Sequence, residues 1–219
     1  MDFSLTTIVL WGVPVVFAIT LHEAAHGYIA KLFGDRTAEM LGRVTLNPIK
    51  HVDPIGTILV PAVLLLTAKL AGGVPFIFGW AKPVPVTYEN LRRPRTDMIW
   101  VAAAGPASNF VQAVLWAFVL VASVAGGTLA SEGLSEMARI GVNVNLVLMA
   151  LNILPIPPLD GGRVLAGVLP GRAAYALSRV EPYGLFIILA LLFTGLLDNL
   201  MRPLIRGAER LIVALLGIG

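Results

Sequence analysis

Residues 5–33 read LTTIVLWGVPVVFAITLHEAAHGYIAKLF, an apolar run long enough to cross a bilayer that holds His22-Glu23-Ala24-Ala25-His26 within it. An HExxH motif on a helix places its two imidazoles on one face, roughly 6 Å apart along the axis, close enough to grip one metal ion. The intervening glutamate, Glu23, then sits beside the metal as a candidate base. Two His and a Glu inside a span are costly without a function. The helix carries Pro14 as a candidate kink and exits at Lys31 and Arg36.

The rest of the composition agrees with a membrane setting. The chain is 57% hydrophobic and 13% charged, about half the charged fraction of a typical soluble domain. Most of its 219 residues therefore form one membrane-embedded unit, here read as a core over about 5–163 and C-terminal helices over about 171–219. A net charge of +3, with no basic run interleaved with aromatics, gives no support for a nucleic-acid partner. Cysteine is absent, which excludes Cys-type zinc sites and thiol nucleophiles and leaves His, Asp and Glu as metal ligands. The first run lacks a basic leader and a cleavage site before HEAAH, so it is expected to be retained as a working helix.

Further apolar runs lie at Pro54–Leu70, Met98–Ala125, Ile140–Leu154 and Tyr183–Leu197. Between the first two, TAEMLGRVTLNPIKHVD (residues 37–53) has β-branched residues, Gly42 and an Asn47-Pro48 break, the pattern of a short strand or hairpin. The fold class expected is an all-α polytopic membrane protein: a bundle of about four to six membrane helices with a short β-hairpin or re-entrant segment after the first. The tail from Pro203 carries Arg206, Glu209 and Arg210 on an apolar pattern and is read as interfacial.

Three separated elements resemble the site-2 protease family (M50) of intramembrane zinc metalloproteases. They are HEAAH in the first helix, Gly105-Pro-Ala-Ser-Asn109 in the third run, and Asn152-x-x-Pro155-x-x-x-x-Asp160-Gly161 at the end of the fourth. GRVTLNP and FGWAKPVPV look like the compact bacterial or archaeal branch, with no room for a PDZ or CBS domain. The resemblance implies one zinc ion held by His22, His26 and Asp160, with Glu23 as general base and Asn152 as oxyanion donor or substrate clamp. For Asp160 the residue-level alternative is ordinary turn chemistry, a helix cap or a pair with Arg163. Asn109, four residues after Gly105, is read as a substrate contact or a packing residue. His51 is read as a surface or hairpin residue rather than a ligand. A protease must hold its substrate extended, and Arg43, Thr45 and Asn47 mark the proposed strand edge that would do so.

Topology constrains this reading. If Asp160 and the His pair share a metal, the chain between the first and third runs must cross an even number of times. The loop charges agree: Lys31, Arg36, Arg43 and Lys50 precede the second run, Lys82, Arg92, Arg93 and Arg95 follow it, and residues 126–138 hold no Lys or Arg. A re-entrant or broken hairpin over residues 54–80 is therefore expected. With Lys31 at the interface, His26 and His22 lie about 8 to 14 Å below it, so hydrolysis requires a polar cleft.

The function expected is zinc-dependent hydrolysis of a peptide bond in or near a transmembrane segment of another protein. The setting expected is a multi-pass protein of a prokaryotic cell (inner) membrane, with the site toward the cytoplasm and lipid and a membrane-protein substrate as partners. Two alternatives stand beside it: a membrane metallohydrolase of small peptides or lipid-linked amides, and a non-catalytic metal-binding scaffold or transporter.

Overall fold

The structure, a computed structural model, describes residues 5–60, 63, 66, 67, 81–126 and 129–217. Helix α1 (Leu5–Leu32) runs unbroken through Pro14 and buries Pro14, Ala18, His22, His26 and Ala30 at four-residue steps. That stripe is one face of the helix, so the residues that pack it against its neighbours also aim both imidazoles inward. Ile8, Val9, Trp11, Val16 and Phe17 are exposed on its other faces. Lipid, not water, suits such a surface.

Helix α3 (Pro94–Gly126) packs on α1, and α4 (Leu129–Ile153) returns against it; the short α2 (Thr37–Met40) precedes them. Asp97 starts α3 by accepting the Arg93 backbone N–H at 2.7 Å, a carboxylate cap on the first turn. Then come α5 (Asp160–Val168), α6 (Gly171–Ser178), α7 (Gly184–Phe193) and α8 (Leu196–Leu216). Among the described residues, four stretches are long and apolar enough to cross a membrane: Leu5–Leu32, Pro94–Gly126, Ser131–Ile153 and Gly171–Phe193. The last is broken into α6 and α7 by a tight turn at Glu181–Tyr183. The protein is thus a helical membrane bundle.

The C-terminal helix lies lengthwise along the bundle. Ala208 and Ile212 of α8 pack with Ala113 and Ala117 of α3 and Leu146 and Met149 of α4, while Leu197 and Met201 reach Ala150 and Leu154. Arg202, Arg206, Glu209 and Arg210 occupy its opposite, exposed face.

The expected β-hairpin after α1 is not formed. Residues 37–53 fold as α2, a turn, and a 3-10 turn over Pro48–His51, and no strand occurs among the described residues. The physical reason is local. Gly42 takes a left-handed conformation (φ +63) that ends α2, and Asn47 caps the next turn by accepting from Ile49 N at 3.1 Å, with Pro48 at its first position. Turn chemistry outweighs the β-branched pattern here. Of the expected re-entrant segment, residues 54–59 form a helical turn capped by Asp53; most of 61–80 lies outside the described residues.

The chain nonetheless leaves α1 and enters α3 at the same end. Arg92 N donates to Phe33 O at 3.0 Å, and the Asp35 carboxylate accepts from Thr37 N, Thr37 Oγ1, Thr87 N and Asn90 Nδ2 at 2.5–3.2 Å. Burial pushes the Asp35 carboxyl up, but these donors outweigh it and hold its pKa below the ordinary value. A depressed carboxylate stabilises the fold above its unfolded pKa, and that contribution is lost as pH falls through the folded one. Asp35→Ala should therefore cost about 1–3 kcal/mol at neutral pH, and the gap to wild type should close below about pH 4. Thermal unfolding in detergent at both pH values checks this; a gap that persists in acid would mean lost packing instead.

Candidate metal centre

Three side chains from two regions of the chain converge. His22 Nε2 and His26 Nε2 are 3.1 Å apart, and Asp160 Oδ2 lies 3.2 Å from the first and 3.4 Å from the second. All three side chains are buried. Tetrahedral ligands about 2.0–2.1 Å from a zinc ion stand about 3.3 Å from one another, so the triangle has the size of a zinc site.

Protonation makes the case stronger. His26 Nδ1 faces the Val101 carbonyl at 2.7 Å, an acceptor only, so Nδ1 carries a proton and in the neutral ring Nε2 holds the lone pair. His22 Nδ1 faces Asn109 Oδ1 at 2.6 Å. That amide cannot be reversed, because Asn109 Nδ2 donates to Ala18 O at 3.2 Å and to Asn145 Oδ1 at 2.9 Å. Asn145 Nδ2 in turn donates to Gly141 O at 2.9 Å. Two backbone carbonyls therefore fix the polarity of the chain Gly141–Asn145–Asn109–His22, and His22 Nε2 also presents a lone pair. Asp160 Oδ2 is buried without a hydrogen-bond partner. Two lone pairs and a carboxylate oxygen in one triangle repel unless a cation lies between them, and the donor set fits zinc.

Glycine makes the room. A Cβ on Gly105 of α3 would lie 2.5 Å from His22 Cε1 and from His26 Nε2. On the other side, Gly161 and Gly162 leave no space for side chains against the backbone of 153–157, which lets the first turn of α5 fold back on the end of α4 and brings Asp160 to the imidazoles. Arg95 holds the far end of α5: its guanidinium donates to Gly167 O at 2.8 Å, Val168 O at 3.1 Å and Leu169 O. These are the open carbonyls of the last helical turn.

Glu23 is half-buried, and its Oε2 accepts from Val84 N at 2.7 Å. Val84 belongs to a Pro-rich segment also tied by Lys82 N to His51 O at 2.9 Å and by Thr87 N to Asp35. Asn152 lines a cavity beside Asp160 and donates to Leu148 O at 3.0 Å on its own helix. Asn109, read from the sequence as substrate contact or packing residue, is fully buried with its amide spent on His22, Ala18 and Asn145.

Arg43, Thr45 and Asn47 form no strand edge. Their side chains serve the turn itself: Arg43 Nη1 donates to Lys50 O at 2.5 Å, Thr45 Oγ1 accepts from Asn47 N at 3.2 Å, and Asn47 caps the 3-10 turn. His51 is buried rather than on the surface, bonding Thr45 O through Nε2 at 3.0 Å, and it lies outside the triangle.

Sequence reasoning missed Asn145, Arg95 and Val84. Asn145 carried a usable signal, a polar residue in an apolar span two turns before Asn152 and so on the same face. Arg95 read only as a loop charge, and Val84 acts through a backbone N–H that no side chain announces.

Comparison with known proteins agrees with this chemistry. Residues 121–195 match the sequence profile of Peptidase family M50. The chain is 38% identical over 207 residues to a Bacillus subtilis protein provisionally named zinc metalloprotease YwhC, covering 93% of this chain and 89% of that one. It is 30% identical over 184 residues to a Mycolicibacterium smegmatis protein provisionally named zinc metalloprotease Rip2, covering 84% of this chain and 66% of the relative. The Rip2 of Mycobacterium tuberculosis is 26% identical over 189 residues, with 83% and 66% covered. No solved structure matches. An HExxH pair completed by a distant aspartate, in a chain aligned almost end to end with a zinc metalloprotease by name, places this protein in peptidase family M50.

Proposed function

We propose that the protein is an intramembrane endopeptidase that hydrolyses a peptide bond in or near a transmembrane segment of a membrane-protein substrate. One observation carries the reading: the His22–His26–Asp160 triangle, with Glu23 next to it in sequence, is built on a helix whose outer surface is fit for lipid. In this reading residues 1–219 act as one unit with a single zinc ion. When bound there, the ion supplies Lewis-acid polarisation of a carbonyl and a lowered pKa for water.

The side chains do the rest. Glu23 takes the proton of the attacking water and returns it to the leaving nitrogen, with Val84 N–H holding one carboxylate oxygen so that the other can face the substrate. Asn152 has two Nδ2 protons, and its bond to Leu148 O uses one, which leaves a donor for the substrate carbonyl or the developing oxyanion. Asn109 serves His22 rather than the substrate. Lys31, Arg36, Lys82, Arg92, Arg93 and Arg95 cluster in sequence around the shared end of α1 and α3, which supports a cytoplasmic-facing site in a prokaryotic cell membrane.

The test is cleavage of a panel of single-span reporter proteins by the purified protein in lipid vesicles. Cleavage should stop on chelation and return with added zinc at about one ion per chain. Hydrolysis of small peptides or lipid-linked amides with every reporter intact would replace this reading by a membrane metallohydrolase. A chain that binds zinc and hydrolyses nothing would be a scaffold.

A further inference from the structure

A cavity of about 640 Å³ opens among α3, α4 and α5, and Asp160 and Asn152 are part of its wall. The remaining wall is apolar, from Ala107 and Phe110 on α3, Met149 on α4, and Val164, Leu165 and Val168 on α5. Resting on the endopeptidase reading above, we propose that this cavity is a specificity pocket that takes a large apolar side chain of the substrate, within two residues of the scissile bond.

Position argues first. The carboxylate that closes the metal triangle is part of the cavity wall, so a polypeptide carbonyl placed at the triangle lies beside the cavity. Successive residues of an extended chain are about 3.3 Å apart, and the side chains flanking that carbonyl have no farther to reach. Chemistry argues second. A wall that is apolar except at Asp160 and Asn152 suits a chain whose backbone stays at Asn152 while a side chain buries itself against the rest. A lipid tail gains nothing from those two polar residues.

Size argues third, because the volume falls within the ~300–1,000 Å³ range of sites that enclose small molecules and exceeds what an alanine side chain could fill. The room comes from small residues. Ala103 and Ala107 lie on the same helical face as Phe110, and larger side chains there would close the space from the α3 side. Substrate transmembrane segments are rich in Leu, Ile and Phe, so such a pocket would choose among positions along one segment rather than between whole proteins.

The experiment uses the full chain in lipid vesicles and single-span reporters that differ only at the residues flanking the cleaved bond, carrying Phe, Leu, Ala or Asp. Wild type should prefer Phe or Leu to Ala at one flanking position by at least about 10-fold in kcat/KM. Ala107→Phe, on an exposed part of the wall, should reduce cleavage of the Phe reporter about 10-fold while sparing the Ala reporter, and Leu165→Ala should shift preference toward the larger residue. Variants that change every reporter by one common factor, or a wild type indifferent to side-chain size, would overturn the pocket and leave the peptidase reading standing. A wild type that cleaves no reporter would overturn both.

Discussion

Glu23→Gln is expected to lower kcat on reporter substrates by about 10³-fold or more while bound zinc stays at the wild-type level. The substitution keeps the shape of the side chain, and the Gln carbonyl can still accept the Val84 N–H that now meets Oε2 at 2.7 Å. What it removes is the proton-accepting oxygen, and positioned acid–base groups contribute typically 10²–10⁴-fold. The three ligands are untouched, because His22 and His26 are oriented by Asn109 and Val101 rather than by Glu23. Paired measurement of metal content and turnover decides the matter. Loss of zinc in step with activity would make Glu23 a support for the ligands instead of a base.

Gly105→Ala should reduce zinc affinity by about 100-fold or more and abolish cleavage, with helix content unchanged. The new methyl would stand 2.5 Å from one atom of each imidazole, closer than any real contact, so something must move. α3 gains helix propensity from the change and has no reason to yield. The imidazoles are pinned through Nδ1 to Asn109 and to Val101 O, and turning either ring breaks a buried hydrogen bond as well as the triangle. Loss of an outer-shell partner alone typically costs 10–100-fold in affinity, and here both rings are displaced. Zinc titration beside circular dichroism checks it: a variant that binds zinc like wild type would mean that the bundle opens by the width of a methyl group at no cost.

The sequence carried most of the site and less of its surroundings. HEAAH was legible because helical spacing alone puts both imidazoles on one face, and Asp160 only through the resemblance of NxxPxxxxDG to the site-2 protease pattern, since Asp-Gly-Gly by itself reads equally as a turn. The hairpin over 37–53 was misread: β-branched Val44 and Thr45 suggested a strand, but Gly42, Asn47 and Pro48 each impose a turn, and three turn-formers in seven residues outweigh two β-formers. The depth of Asn109 was invisible in a different way. Its spacing from Gly105 showed that it faced a neighbour, but only the fold shows that the neighbour is His22. Arg95 illustrates the same gap, since its three acceptors are carbonyls 72 to 74 residues away.

The hydrogen-bonded line from Gly141 O through Asn145 and Asn109 to His22 also measures position. It runs across α4, α3 and α1, and its acceptor Ala18 O lies one turn from His22 on α1. If any of these helices slid past another by a single residue, about 1.5 Å, at least one of its bonds would be lost. The three helices are in effect keyed to one register, and sliding along their axes would break the key. Any motion that keeps the key intact falls to parts outside it, among them α5, fastened at its outer end by Arg95, and the segment 82–87, whose amides rest on Glu23, His51 and Asp35.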